Sequence, residues 1–464
     1  MKTRPFRPVR LSRFALRPVL PLAALPLVAL AAPVLGQAPA SAPAHDHAAH
    51  GAPHSTGQPA ASPVDLGDID GDGGVSAFYE WAGEIPAPGQ MLREEPLPAD
   101  RRQPQSGQAL RILYSSTSGV GDQGPIVVSG MLFLPQGTAP QGGWPLVSWA
   151  HGTTGFADVC APSWNGTSLR DQAYLQRWLE AGFAVVATDY EGLGTDGVHP
   201  YLVWRSEGHA VLDAARAAAA AHPGLLSRRV VLVGQSQGSG AAIGAAYLAK
   251  SYAPQVELLG TVATGLVMTF ETPEAAGLAA KGEEMTDPRA MDPGFAMLRI
   301  AGTDRALNPH LDPADFVTPA GYPLLRLARR GCLRDLMAKA QEMGLKNGRT
   351  VFAADIAPLD SKMDAAFAFT DGRIPGPLFV GTGLADDMAG TQGQYNAVTA
   401  MCAAGTQVHW HTYPGEDHST AVTVSAADSI PFAQGLLKGE VPSSNCATIT
   451  HPGPVQPRKG PYID

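Results

Sequence analysis

The sequence predicts an α/β fold, with a mostly parallel central sheet, helices on both faces and a helical insertion late in the chain. Three observations predict it. Between residues 145 and 264, short runs rich in Val, Leu and Ile alternate with longer helical patterns, the rhythm of strand–helix–strand units. From 266 to 372 that rhythm breaks, and it resumes at Pro377. At the centre, Val230-Val231-Leu232-Val233 runs into Gly234-Gln235-Ser236-Gln237-Gly238 and then an Ala/Gly/Leu-rich stretch to Lys250. That is a buried strand, a tight turn and a helix in succession.

A chain of 464 residues could hold two to three average domains or one elaborated α/β domain, and 45% hydrophobic content is ample for a large core. The net charge of −9 argues against a nucleic-acid partner, because phosphate binding needs clustered Lys and Arg. Basic residues cluster only at the start: Lys2, Arg4, Arg7, Arg10, Arg13 and Arg17 precede an apolar stretch from Pro18 to Leu35, with small residues near Gly36 and Ala38. Residues 1–36 therefore read as a secretory signal peptide, and prolines at 18, 21, 26 and 33 disfavour a transmembrane helix. Export, to the periplasm or outside the cell, is the expectation. The four cysteines, Cys160, Cys332, Cys402 and Cys446, agree with it, since an even number in an oxidising compartment favours disulfides. Their long spacings do not resemble a zinc site, and three pairings are open.

Residues 37–77 form an Ala/Pro/Gly/Ser/His tract that reads as a disordered linker. His45, His47, His50 and His54 within it are read as solvated. Asp68-Ile69-Asp70-Gly71-Asp72-Gly73 begins like a calcium loop, but the twelfth position is Tyr79, with Glu80 one residue late, so it reads as polar linker. No metal and no cofactor is expected.

The globular part begins at Phe78. Residues 110–114 and 126–134 read as antiparallel strands, and 145–150 as a buried strand delivering His151-Gly152-Thr153-Thr154-Gly155. A helix follows over 171–181, a strand over 183–188, a helix over 207–221, the strand 230–233, and another strand over 256–264. The insertion holds helical pieces at 274–282, 324–340 and 356–369. Strands resume at 377–381 and 408–413, and a helix over 430–437 precedes a Pro-rich tail. The boundaries are a first core part at 78–265, a helical cap or lid at 266–372, a second core part at 373–450 and a tail at 451–464.

The pentapeptide around Ser236 fits a nucleophile elbow, in which small residues let a strained turn project the serine hydroxyl. A hydroxyl attacks only when a base takes its proton and an acid holds that base. Two loops after late strands supply both: Asp386 is the acid, ahead of its neighbour Asp387, and His418 is the base. Asp417 is too close to His418 in sequence to be the third member. The oxyanion needs backbone donors; Gln237, directly after the nucleophile, is one, and Thr153 is the other, with Thr154 next in line. His151 orients its loop.

Taken together, these residues resemble the secretory lipase family of the α/β-hydrolases, the group of the yeast-type lipase A. The resemblance rests on Leu92-Arg93-Glu94-Glu95-Pro96 after Pro88-Gly89, on residues 148–155, on Cys160-Ala161-Pro162-Ser163, on residues 188–194 and 234–238, and on Gly383-Leu384-Ala385-Asp386-Asp387 with Asp417-His418-Ser419. It implies a serine-dependent carboxylic-ester hydrolase, a lipase or esterase, with a helical cap and no cofactor. It also implies the pairings Cys160–Cys332 and Cys402–Cys446. Ser239 departs from the family's third glycine, and residues 386–390 lack its usual Val-Val-Pro. The expected partner is an ester substrate, with transient contact to a lipid surface; the natural ester and the oligomeric state are left open. The competing expectations are a serine peptidase or acyltransferase on the same scaffold, and a non-catalytic binding protein.

Overall fold

The computed structural model describes residues 74–460 apart from 105, 122–123, 271–290 and 354. The expected signal peptide, most of the expected linker with its histidines and acidic loop, the expected helix at 274–282 and the last four residues lie outside the described residues.

In chain order the strands are β1 (Met91–Pro96), β2 (Ser106–Thr117), β3 (Pro125–Pro135), β4 (Trp144–Ala150), β5 (Ala184–Thr188), β6 (Leu226–Gln235), β7 (Glu257–Thr264), β8 (Thr269–Phe270), β9 (Ala368–Phe369), β10 (Pro377–Gly383) and β11 (Gln407–Tyr413). The α-helices are α1 (Pro162–Asn165), α2 (Leu169–Glu180), α3 (Trp204–Ala221), α4 (Gln237–Tyr252), α5 (Pro293–Leu298), α6 (Arg305–Leu307), α7 (Tyr322–Ala328), α8 (Leu333–Glu342), α9 (Ala357–Phe367), α10 (Thr391–Ala403) and α11 (Thr420–Leu437).

Nine strands form one sheet in the order β1-β2-β3-β5-β4-β6-β7-β10-β11. The first four are joined antiparallel, and every pairing from β5 through β11 is parallel. Side chains of a strand point alternately to its two faces, and a parallel strand buried on both faces is apolar throughout. The run Val230-Val231-Leu232-Val233 behaves so. Val230 and Leu232 join a core with α3 and α4, while Val231 and Val233 join a second core with α2 and α11. Leu378 and Val380 divide from Phe379 in the same way.

Between residues 291 and 369 helices linked by turns predominate, and they share an apolar cluster that includes Met297, Leu298, Ile300, Leu324 and Leu336 and takes in Phe156 and Tyr201. Phe295, Met297, Leu298 and Ile300 all belong to that cluster or pack against it. The helix expected over 324–340 is two helices, α7 and α8, parted at Gly331-Cys332, because Cys332 is tied by a disulfide to Cys160. The final helix begins at Thr420, ten residues before its expected start, and contains Pro431. The tail is not loose at 456–459: Gln456 N–H donates to Leu384 O at 2.7 Å and Lys459 N–H to Gly415 O at 2.9 Å.

Candidate active site

Strand β6 carries Ser236 to the end of the sheet, where it has φ 55° and ψ −123°. Non-glycine residues avoid this region at a cost on the order of 1–3 kcal/mol, so the surroundings must impose it. They do so by closeness. A Cβ on Gly234 would lie 1.9 Å from the Gly238 carbonyl oxygen, and one on Gly238 would lie 1.9 Å from that of Ala150. Ser236 N–H donates to Thr264 O at 3.0 Å, tying the turn to β7, and the residue itself is only half-buried. Ser239 staples the same turn: its hydroxyl donates to Ser236 O at 2.6 Å and accepts Val267 N–H at 2.9 Å. A third glycine could form neither bond.

Asp386 and His418 meet across 32 positions of sequence, with His418 Nδ1–H donating to Asp386 Oδ2 at 2.9 Å. That bond leaves Nε2 as the imidazole's remaining nitrogen; it is buried and makes no hydrogen bond among the described residues, to Ser236 included. The ring lies against Gly265, where an added Cβ would come within 2.7 Å of Cε1. Gly265 directly follows Thr264, the residue holding the Ser236 amide, so serine and imidazole flank one backbone step at the end of β7. Asp386 is fully buried. Its Oδ1 accepts the N–H groups of Met388 (3.0 Å) and Ala389 (2.9 Å), and its Oδ2 also accepts Gln394 Nε2–H at 2.7 Å. Burial alone would raise this carboxyl, but the charge and hydrogen bond of His418 and the two amides outweigh it, leaving it below the ordinary carboxylate range. Asp387 instead is exposed and lies 3.6 Å from Arg458. Asp417 caps the start of α11, accepting Ser419 N–H at 3.0 Å and Thr420 N–H at 2.8 Å. It thereby orients the backbone on the far side of His418.

On the opposite side, Gln237 is the first residue of α4, and helix geometry leaves its N–H without an intrahelical acceptor. Its side chain is fixed: Nε2–H groups donate to Glu207 Oε1 at 2.7 Å and to His199 Nε2 at 3.0 Å. His199 Nδ1–H donates to Glu191 O at 2.8 Å, so Nε2 is free to accept. Burial pushes Glu207 up to about 8 and His199 down to about 4, so both are predominantly neutral at pH 7. Thr153, on the loop after β4, shares a 3.1 Å hydrogen bond with the Tyr201 hydroxyl. Thr154 O accepts Leu333 N–H at 2.8 Å, and Gly155 sits against both sulfur-bearing residues of the Cys160–Cys332 disulfide. Cys402 and Cys446 form the other disulfide, behind α10 and β11. His151 packs 4.4 Å from the Tyr190 ring, and its carbonyl accepts the Tyr190 hydroxyl at 2.8 Å. Sequence reasoning missed Gln394, Glu207, His199 and Tyr201. Only Glu207 left a trace, as an acid in an otherwise Ala-rich helix. Among the described residues, no three His, Cys, Asp or Glu side chains gather in a way that could hold a metal.

A half-buried hydroxyl on a strained turn, an imidazole Nε2 with no hydrogen bond among the described residues and the first N–H of a helix beside the serine can support nucleophilic attack on an acyl group. The secretory lipase family model matches residues 166–286. Lipase A of Moesziomyces aphidis is 24% identical over 388 residues, 78% of this chain and 79% of that protein. The secreted triacylglycerol lipase LIP5 of Malassezia globosa is 24% identical over 369 residues, 73% of this chain and 72% of that protein. Among solved structures, Candida antarctica lipase A in its closed state matches with a TM-score of 0.61 at 20% identity, covering 80% of this chain and 86% of that one. The rice cell wall degrading esterase LipA of Xanthomonas oryzae matches with a TM-score of 0.58 at 18% identity, covering 76% of this chain and all of that one. The fold is thus that of the α/β-hydrolases.

Proposed function

We propose that this chain, which resembles the secretory lipases, is an exported hydrolase of carboxylic esters acting through an acyl-enzyme at Ser236. His418 Nε2 takes the Ser236 proton as the oxygen attacks the ester carbonyl. Asp386 holds the imidazole in the tautomer that presents Nε2 and stabilises the imidazolium that forms. The Thr153 and Gln237 amides receive the oxyanion. Collapse of the tetrahedral intermediate expels the alcohol, which takes the proton from His418; water then repeats the sequence on the acyl-enzyme and frees the acid.

The observation that carries this reading is the strained turn at Ser236 beside the Asp386–His418 pair. The described helical residues 291–369 serve as the cap over this site, and the Cys160–Cys332 bridge joins cap to oxyanion loop. The ester is the partner; contact with a lipid surface follows where the ester is a lipid. The test is a panel of p-nitrophenyl esters set against peptide anilides. Ester turnover that disappears in Ser236→Ala, by a factor on the order of 10⁶ in kcat, is the expected result. Peptide cleavage without ester turnover would transfer the same machinery to a peptidase.

A further inference from the structure

Both proposed oxyanion donors are tied to one buried carboxyl group that takes no part in the reaction. Glu207, 1% exposed in the first turn of α3, receives two hydrogen bonds on the same oxygen: Gln237 Nε2–H at 2.7 Å and Leu202 N–H at 3.0 Å. The first fixes the side chain of the residue whose own amide is one of the proposed donors. The second clamps Leu202, whose φ of 63° is a left-handed conformation that a leucine adopts only when held. One residue before that clamp, Tyr201 places its hydroxyl 3.1 Å from Thr153 Oγ1. The same loop is gripped from the helical region: Thr303 Oγ1–H donates to Tyr201 O at 2.5 Å, and Gly302 lies so close to His199 O that an added Cβ would be 2.7 Å from it. Thr303 and Gly302 belong to a π-helical turn, Arg299–Asp304, a local irregularity that needs a tertiary contact to persist.

Resting on the ester-hydrolase reading above, we infer that Glu207 is a positioning residue for the oxyanion hole, holding Gln237 directly and Thr153 through Leu202 and Tyr201. The protonated acid suits this task. A neutral carbonyl oxygen can accept both N–H groups, whereas a carboxylate behind the donors would oppose the negative charge they are meant to receive. Burial raises Glu207 to about 8, which keeps the proton in place at neutral pH.

Substitutions at Glu207, Gln237 and Tyr201 test this role. Glu207→Gln retains an acceptor oxygen and is expected to keep kcat on p-nitrophenyl butyrate within about twofold. Glu207→Ala loses both bonds; displacing a donor costs less than deleting one, so kcat should fall about tenfold with KM unchanged. Affinity for a boronic acid, which mimics the tetrahedral species, should fall by the same factor. In a double-mutant cycle with Gln237→Ala the two losses should be non-additive. Tyr201→Phe, a conservative change, tests the other arm even where Glu207→Ala fails to fold; kcat should fall about threefold with KM unchanged. Unchanged kcat in both Glu207→Ala and Tyr201→Phe, or losses confined to KM or to thermal stability, would overturn the inference. A wild-type protein without ester turnover would instead overturn the function on which it rests.

Discussion

The two flanks of Ser236 are built on opposite electrostatic plans. On the acid–base flank a buried carboxyl is held in its charged form: four hydrogen-bond donors converge on Asp386, and against its burial His418 and two backbone amides pull it below its ordinary range. On the oxyanion flank a buried carboxyl and a buried imidazole are held neutral, Glu207 near 8 and His199 near 4. The chemistry explains the contrast. During attack a positive charge grows on His418, and a fixed anion beside it stabilises that charge. A negative charge grows on the substrate oxygen, and an anion behind its donors would oppose it. The low dielectric of a buried site magnifies both effects, so each flank must be matched to the charge it will meet.

The contrast can be broken most sharply from the charged side. Asp386→Asn keeps the shape but removes the anion and allows the wrong imidazole tautomer; kcat should fall by a factor on the order of 10³–10⁴. Asp387→Asn, a change at an exposed side chain, should leave kcat within about twofold. Equal losses in the two variants would mean that the acid has been misplaced.

The disulfides test the contrast at a lower amplitude. Cys160 and Cys332 are 172 positions apart and brace the oxyanion loop, whereas Cys402 and Cys446 are 44 apart and lie behind the acid–base flank. Loop entropy makes each bridge worth about 4–5 kcal/mol, so replacing either pair by alanines should lower Tm. Only loss of Cys160–Cys332 should also lower kcat, by about tenfold, because Thr154 and Gly155 rest on that bridge. A kcat loss of the same size without Cys402–Cys446 would erase the distinction.

The smallest effect is in pH dependence, where the flanks have opposite signs. The folded state binds a proton on Glu207 that the unfolded chain releases above about 4.5, so this residue's contribution to stability falls as pH rises from about 4.5 to about 8. Asp386 has a lowered pKa in the folded state; its contribution is present at neutral pH and is lost as pH falls through that value. Thermal melts should therefore show Glu207→Gln gaining Tm relative to wild type between pH 6 and pH 9, and Asp386→Asn losing less Tm than wild type on acidification. A constant Tm difference between Glu207→Gln and wild type across pH 6–9 would remove Glu207 from the neutral group.

How much of this was legible in the sequence follows from what sequence patterns encode. Strand alternation and the apolar run before Ser236 are local, and they led to the sheet and the elbow. The preference for Asp386 over Asp387 rests on a turn after a buried strand sending its first polar residue inward; in the structure Asp386 is buried against His418 and Asp387 is exposed. Gln394 was not readable: it reaches Asp386 only because α10 packs beneath β10, a tertiary fact with no local mark. Glu207 looked like an ordinary first-turn acid, and its burial depends on the approach of Gln237 and Leu202 from distant segments. The start of α11 was missed because Thr420-Ala421-Val422-Thr423-Val424 reads as extended by propensity. The Asp417 cap and packing against α2 override that preference.

The proposed activation of Ser236 as a nucleophile by His418 is the step on which every other role depends. It is tested most directly by labelling the folded protein with a fluorophosphonate and mapping the modified peptide, in the wild type and in His418→Ala. A single adduct on Ser236 is expected, formed at least about a hundredfold more slowly without the imidazole. An adduct on another serine, or a labelling rate indifferent to residue 418, would contradict it.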